Sequence, residues 1–99
     1  MSKPAYFILE IDIQDAEGMK PYLAGAGATL EPYHSTPLVH GNTIDAVEGE
    51  APQGKIVILR FDSMELARAW YASPEYRELL PHRLRSAHNR AYFVEGLEA

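Results

Sequence analysis

Two stretches of the chain have the two-residue period of β-strands, in which alternate positions form two separate faces. From Ala5 to Ile13 every odd-numbered residue is apolar, whereas the even-numbered residues begin apolar and end with Glu10 and Asp12. From Lys55 to Asp62 the segment KIVILRFD has two faces at the same period, with Val57, Leu59 and Phe61 on one and Ile56, Ile58 and Arg60 on the other. Each stretch therefore predicts a strand that packs one of its faces against helices.

Between these strands the pattern predicts a helix followed by a hairpin. Apolar residues recur at helical spacing from Glu17 to Tyr33, and Asp15 is placed to cap this helix. The segments Thr36–His40 and Ile44–Glu48 flank Gly-Asn-Thr, which predicts a hairpin or a bent strand.

The most helical segment, from Ala67 to Ala87, contains two prolines that are expected to interrupt a helix. Ser73 is a favourable N-cap and Pro74 a favourable first helical residue, so this pair predicts that one helix ends and another begins in a new direction. Pro81 is predicted to end or bend the second helix.

The order of elements indicates the fold. Residues Arg90 to Gly96 complete the series as a last strand, which gives strand, helix, strand, strand, helix, strand. This order predicts an α+β, ferredoxin-like βαββαβ sandwich with a four-stranded, mainly antiparallel sheet. The first and third strands are expected at its centre, with helices on one face only. A length of 99 residues predicts a single domain, residues 1–99.

Such a sheet leaves one face without cover, and four large apolar residues are predicted to lie on it. We call this surface the open face; it carries Tyr6, Ile8, Ile56 and Ile58. An apolar patch of this kind predicts a symmetric homodimer, sheet against sheet. The alternative is a strand register shifted by one residue, which would exchange the two faces.

Composition and charge exclude several classes of function. The net charge is −5 and no run of Lys or Arg occurs, so we expect no binding to nucleic acid or to an anionic membrane. The absence of cysteine excludes disulfides and thiolate chemistry. Glu10 and Asp12 interrupt the first apolar run, so we expect neither a signal peptide nor a membrane span and place the protein in the cytoplasm. The four histidines lack metal-ligand spacing and no phosphate-binding glycine loop occurs, so no metal or cofactor is expected.

The segments AWYASPEYRELLPHR and NRAYFVEG together resemble the small bacterial family called domain of unknown function 1330, which belongs to the dimeric α/β-barrel superfamily. The resemblance covers nearly the whole chain and implies a dimeric α/β barrel with ferredoxin-like protomers, but no settled reaction. The residues that carry it are Trp70, Tyr71, Ser73, Pro74, Glu75, Tyr76, Pro81, Arg83, Val94, Glu95 and Gly96.

The middle of the chain departs from the family pattern. Relatives resemble one another in a Tyr-Gly-Gly-Arg motif followed by Leu-Val-Arg-Gly. Here His34 and Ser35 replace the glycine pair, and Thr36 and His40 replace the two arginines. A pocket role of those arginines therefore does not carry over to this chain.

Three groups of residues are candidates for a binding site. Glu10 and Arg60 are expected to be near neighbours on the open face, either as an ion pair at the rim of the interface or as polar groups in a cavity. Tyr76 and Arg83 lie two helical turns apart and are expected to share a face of the helix. They either stabilise the fold through hydrogen bonds within the protein or bind an anionic or phenolic ligand.

The third candidate group consists of His40 and Tyr71. His40 near a strand end is a general base by residue type, although a lone histidine is more often a surface residue. Tyr71 could form an aromatic wall, whereas Trp70 belongs to the core.

No arrangement of residues identifies a reaction, and catalytic residues stay unassigned. The sequence favours a homodimer that binds a small organic molecule, for example an anionic one, in a cavity near the sheet and the dimer interface. The alternative is a cofactor-independent enzyme, similar to a monooxygenase or an isomerase, acting on a small organic acid or aromatic compound. The second reading rests on the superfamily alone.

Overall fold

The computed structural model describes residues 3–98, which form an antiparallel sheet with a helical layer against one of its faces. The strands are β1 (Ala5–Ile13), β2 (Thr36–Gly41), β3 (Lys55–Phe61) and β4 (Ala87–Glu95). The helices are α1 (Ala16–Gly25), α2 (Met64–Tyr71) and α3 (Pro74–Ser86), and a 3-10 helix spans Gly27–Tyr33. No helix within residues 3–98 is both long enough and apolar enough to cross a membrane.

The strand order is β2-β3-β1-β4 and every neighbouring pair is antiparallel, which confirms the α+β, ferredoxin-like architecture. β1 and β3 lie at the centre, as expected. The predicted strand register is also confirmed. Ile8 lies opposite Ile58 on the open face, whereas Phe7 and Leu9, on either side of Ile8, are buried on the other face. The helix-side face therefore carries the core.

Aromatic rings form the middle of that core. Phe7 and Phe61 project from the two central strands, and their ring centroids lie 5.2 and 5.5 Å from that of Trp70 on α2. Tyr76 on α3 packs 4.2 Å from the same indole. Burial of each such side chain contributes about 1.5–3 kcal/mol, so these rings are what holds α2 and α3 against the sheet.

The Ser73-Pro74 pair begins a new helix, as predicted. The Ser73 hydroxyl donates to the carbonyl of Trp70 at 2.7 Å, in the last turn of α2, and accepts from the backbone N–H of Tyr76 at 3.4 Å. One side chain thus caps α3 and contacts the end of α2.

The prediction that Pro81 ends or bends α3 is wrong as regards an end, because the helix continues to Ser86. Tertiary contacts outweigh the backbone hydrogen bond that proline removes. Leu80 and Arg83 are buried, and the carbonyl of Ser86 accepts the backbone N–H groups of Gln14 and Asp15 at 2.8 and 2.9 Å.

The predicted helix from 17 to 33 is divided in two. α1 ends at Gly25, and the chain then tightens into the 3-10 helix. Gly25 packs so closely on α3 that an added Cβ would lie 2.9 Å from a methyl carbon of Leu79. The glycines therefore mark a real break rather than a weakened helix middle.

Two other boundaries need correction. The segment 44–48 is not a strand: β2 pairs directly with β3 across a long loop, so the predicted short hairpin is wrong. The last strand begins at Ala87 rather than at Arg90, because β1 continues to Ile13 and Ile13 pairs with Ala87.

Candidate functional site

An apolar cavity of about 270 Å³ lies between the sheet and the helical layer. We call it the helix-side cavity. Its floor comes from the inward-facing residues of β1 and β3, and its opposite wall comes from α1, the 3-10 helix and α2. The break between α1 and the 3-10 helix lies over it. The apolar residues that line it are Leu9, Ile11, Val57, Leu59, Tyr22, Leu23, Ala26, Leu30 and Trp70.

Two ionisable side chains supply the polar part of the lining. His40 on β2 is exposed, and Lys55 at the start of β3 is partly buried. Both residues also line an adjoining open groove of about 400 Å³ at the same end of the sheet. They therefore form a polar mouth through which the apolar interior meets solvent, and a molecule that enters would place its apolar body inside and a charged end beside Lys55.

A buried hydrogen-bond chain begins at Tyr22, which lines the helix-side cavity, and continues away from it. The hydroxyls of Tyr22 on α1 and Tyr76 on α3 lie 2.8 Å apart, and Nη2 of Arg83 donates to the Tyr76 hydroxyl at 3.2 Å. Burial raises the pKa of Tyr76 well above that of a free tyrosine, so its hydroxyl stays protonated at neutral pH.

Arg83 is a buried cation without a carboxylate partner in the described part of the chain. Its side chain is 1 % exposed, and its Nε and Nη1 groups have no hydrogen-bond partner among residues 3–98. Two features offset the cost of this burial. The guanidinium carbon lies 5.3 Å from the centroid of the Tyr22 ring, and the residue sits in the last turn of α3, where the helix dipole favours a positive charge.

Of the residues singled out from the sequence, Tyr76 and Arg83 are brought together, as their helical spacing predicted, and His40 lies at the mouth of the cavity. Tyr71 lies elsewhere. Its ring packs 6.0 Å from Phe7 and 5.9 Å from Phe93, and the Arg77 guanidinium covers it. It is part of the core and does not line the helix-side cavity.

Glu10 and Arg60 lie on the open face but are not neighbours, so that expectation is wrong. In the antiparallel register Glu10 is opposite Ile56, whereas Arg60 is opposite Tyr6. Arg60 instead donates to Asp62 at 2.8 Å.

Glu10 has partners on β4. It accepts from the Tyr92 hydroxyl at 3.0 Å and lies 3.9 Å from a guanidinium nitrogen of Arg90. With Asp12, Glu50 and His88 it lines a polar, open groove of about 310 Å³.

Sequence reasoning overlooked Tyr22 and Lys55 as site residues. A signal existed for both. Lys55 shares the alternation of Val57 and Leu59, which places its side chain on the helix-side face. Tyr22 is one helical turn from Met19 on the apolar side of α1, and both are buried.

Comparison with solved structures shows the same fold in proteins of low sequence identity. A protein of unknown function from Rhodopseudomonas palustris is 17% identical with a TM-score of 0.76, covering 100% of this chain and 86% of that one. SnoaB, a cofactor-independent oxygenase from Streptomyces nogalater, is 11% identical with a TM-score of 0.68, covering 99% and 97%. A dimeric ferredoxin-like protein of unknown function from Thermobifida fusca is 12% identical with a TM-score of 0.65, covering 96% and 92%. Identities at this level establish the fold alone.

Among curated proteins no match to this chain is found. The family comparison is specific, because the model of the domain of unknown function DUF1330 matches residues 4–97. That match includes all the elements described above, from β1 to β4, and agrees with the resemblance carried by the segment around Ser73 and Pro74. The chain therefore belongs to the DUF1330 family.

Proposed function

We propose that the protein binds a small aromatic molecule with an anionic group at one end, held in the helix-side cavity with its charge beside Lys55. The observation that carries this proposal is the combination of a mostly apolar lining with two ionisable residues, His40 and Lys55, at the mouth. A cavity of about 270 Å³ lies slightly below the usual range for small-molecule sites, which begins at about 300 Å³, so it suits a ligand of about one ring. The anion-binding role that the sequence suggested for Arg83 is assigned to Lys55 in this proposal.

The apolar body of the ligand supplies most of the affinity in this proposal. A ring the size of an aromatic side chain buries about 150–250 Å², which is worth about 4–6 kcal/mol before the costs of association. A charge pair at a solvent-exposed mouth adds about 1 kcal/mol. The protein is thus expected to select for shape and apolar surface first and for charge second.

Trp70 provides the test, because it is the sole tryptophan and lines the cavity. Para-nitrobenzoate, a nitroaromatic quencher, should quench its fluorescence saturably, and neutral para-nitrotoluene should do the same. Lys55→Gln should weaken para-nitrobenzoate about fivefold, the equivalent of about 1 kcal/mol, and leave para-nitrotoluene unchanged. Lys20→Gln is the matched control, since Lys20 is exposed on α1 and pairs with Glu17. Quenching that never saturates would contradict the proposal.

The binding protein is, in this proposal, a homodimer formed through the open face. Val39, Ile58, Ile8 and Tyr92 lie side by side across all four strands, and Val39 and Tyr92 are each 41% exposed. Such a continuous apolar row is typical of an interface. The neighbour from Thermobifida fusca is described as dimeric, which supports a dimer by analogy. Because the helix-side cavity lies across the sheet from the open face, each protomer keeps its own cavity. A cytoplasmic location, proposed on composition, completes this account.

A second candidate function is cofactor-independent oxygenation of an activated aromatic compound. In this candidate His40, which lines the mouth, would remove a proton from the substrate and Lys55 would hold the resulting anion; SnoaB, which shares the fold, supports it by analogy. One oxygen atom of O₂ would enter the ring and the other would leave as water with two substrate hydrogens. Oxygen uptake with a dihydroxynaphthalene should then fall at least tenfold in His40→Gln, which is the low end of what a general base supplies. Uptake no faster than without protein would reject this candidate.

A further inference from the structure

We propose that the Tyr22 hydroxyl donates a hydrogen bond to an acceptor oxygen of the bound molecule, and that Arg83 strengthens this donor through Tyr76. The ligand class narrows accordingly to aromatic compounds that carry a phenolic or carbonyl oxygen at the end held inside the cavity. This inference rests on the proposed binding function and adds a specificity-determining residue to it.

The direction of the hydrogen-bond chain follows from the donors and acceptors present. Arginine can only donate, so the Tyr76 oxygen accepts from Arg83 and the Tyr76 hydrogen cannot point back at the guanidinium. Apart from the bond that Arg83 donates, the two tyrosine hydroxyls share one hydrogen bond of 2.8 Å, and neither has another side-chain acceptor among residues 3–98. Each hydroxyl carries one hydrogen, but only one of the two hydrogens can lie between the two oxygens. The other hydroxyl hydrogen is therefore left without an acceptor.

The left-over hydrogen belongs at the Tyr22 end. Tyr76 is completely buried and does not line the helix-side cavity, whereas Tyr22 lines it and is 8% exposed. A hydroxyl hydrogen without a partner is costly inside the protein and is satisfied where solvent or a ligand can reach it. The order from Arg83 to Tyr76 to Tyr22 to the ligand therefore gives each tyrosine hydroxyl both a donor and an acceptor.

Arg83 makes Tyr22 a stronger donor than an ordinary tyrosine. Hydrogen bonds in a chain polarise one another, and a buried charge at one end acts in a medium that screens it weakly. The guanidinium also lies 5.3 Å from the Tyr22 ring centroid, where it withdraws electron density from that ring. A strengthened donor stabilises a negatively charged oxygen more than a neutral one. Binding should therefore shift the ionisation equilibrium of a phenol toward the phenolate.

Para-nitrophenol tests this inference, because visible absorbance separates its phenolate from its phenol. At a fixed neutral pH, with Lys55 and His40 present throughout, the phenolate-to-phenol ratio of bound probe should exceed that of free probe. Tyr22→Phe should lower the bound ratio roughly tenfold, since a hydrogen bond to a charged oxygen is lost. Tyr76→Phe, which contacts no ligand, should lower it roughly twofold to threefold. Tyr33→Phe removes a hydroxyl that is not part of the hydrogen-bond chain from Arg83 to Tyr22, so it should leave the phenolate-to-phenol ratio unchanged.

A purely structural role for the cluster predicts a different result. Tyr76→Phe would then change thermal stability and the affinity for every probe, with no selective effect on the phenolate ratio. That outcome, or an unchanged ratio in Tyr22→Phe, overturns the inference, and Tyr22→Phe decides the matter by itself if Tyr76→Phe fails to fold. Para-nitrotoluene keeps the two proposals apart. If it binds normally while the ratios do not move, only this inference fails, and if neither probe binds, the proposed function fails with it.

Discussion

The substitution Ile58→Glu tests the homodimer at the centre of its interface. Ile58 lies opposite Ile8 on β1 and Val39 on β2, and it is only partly covered within one protomer. In a symmetric dimer the change occurs twice. Each copy loses about 1 kcal/mol of apolar burial and gains an unpaired carboxylate that costs at least about 2 kcal/mol to desolvate. The dimer should therefore weaken by about 6 kcal/mol, or roughly ten-thousandfold in dissociation constant.

Sedimentation equilibrium over a range of concentrations measures this effect directly. The wild type should sediment as a dimer and Ile58→Glu as a monomer, with circular dichroism showing that the monomer keeps its fold. Val47→Glu is the matched control, because Val47 is 86% exposed in the loop before β3 and its change should leave the dimer intact. A dissociation constant that is the same for Ile58→Glu and the wild type would refute the proposed interface, as would a wild type that is monomeric at every concentration.

Three further predictions concern stability. Ser73→Ala should lower the free energy of unfolding in urea by about 1–2 kcal/mol, because α3 loses its cap and the contact with Trp70; a change within error would show that this cap is dispensable. The raised pKa of Tyr76 means that the unfolded chain releases this proton first, so stability should fall by about 1.4 kcal/mol per pH unit above about pH 10, where an unperturbed tyrosine titrates. Tyr76→Phe should flatten that decline in alkaline urea titrations, and an identical slope would contradict the assignment. Gly54→Ala should cost at least about 1–3 kcal/mol, because Gly54 has a φ of 76° and an added Cβ would collide with the backbone carbonyl oxygen of Ile11. Thermal melts of both variants measure this difference. Gly41→Ala, with open space around the added Cβ, should leave stability nearly unchanged, and an equal loss of stability in Gly41→Ala and Gly54→Ala would contradict the clash at Gly54.

The parts of the fold that the sequence predicted are those with a strong local pattern. In β1 every odd-numbered residue is apolar, and Glu10 and Asp12 identify the face of β1 that is not part of the core. The Ser73-Pro74 restart was predictable because a cap and a first-turn proline act within four residues. By contrast, α3 continues past Pro81 with tertiary contacts that no local pattern reveals, among them the hydrogen bonds from Gln14 and Asp15 to the carbonyl of Ser86.

The site was less predictable, because it is a gap between elements rather than a motif. The helix-side cavity depends on where α1 stops and the 3-10 helix begins, and on how far both lie from the sheet. The pairing of Glu10 with Arg60 was inferred from their equivalent positions in the two halves of the sequence. Antiparallel strands run in opposite directions, so equivalent positions do not face each other, and Glu10 faces Ile56 instead.

The central claim, that the helix-side cavity binds the ligand, is tested most directly by filling it. Ala26 lines the cavity at the end of α1, whereas Ala24 is exposed on the same helix, so Ala26→Leu and Ala24→Leu form a matched pair. Para-nitrobenzoate at a hundredfold excess over its dissociation constant should stabilise the wild type by about 2.7 kcal/mol, which raises the Tm by roughly 10 °C. Ala24→Leu should show the same rise and Ala26→Leu little or none. An equal rise in Ala26→Leu would contradict the account and place the ligand elsewhere.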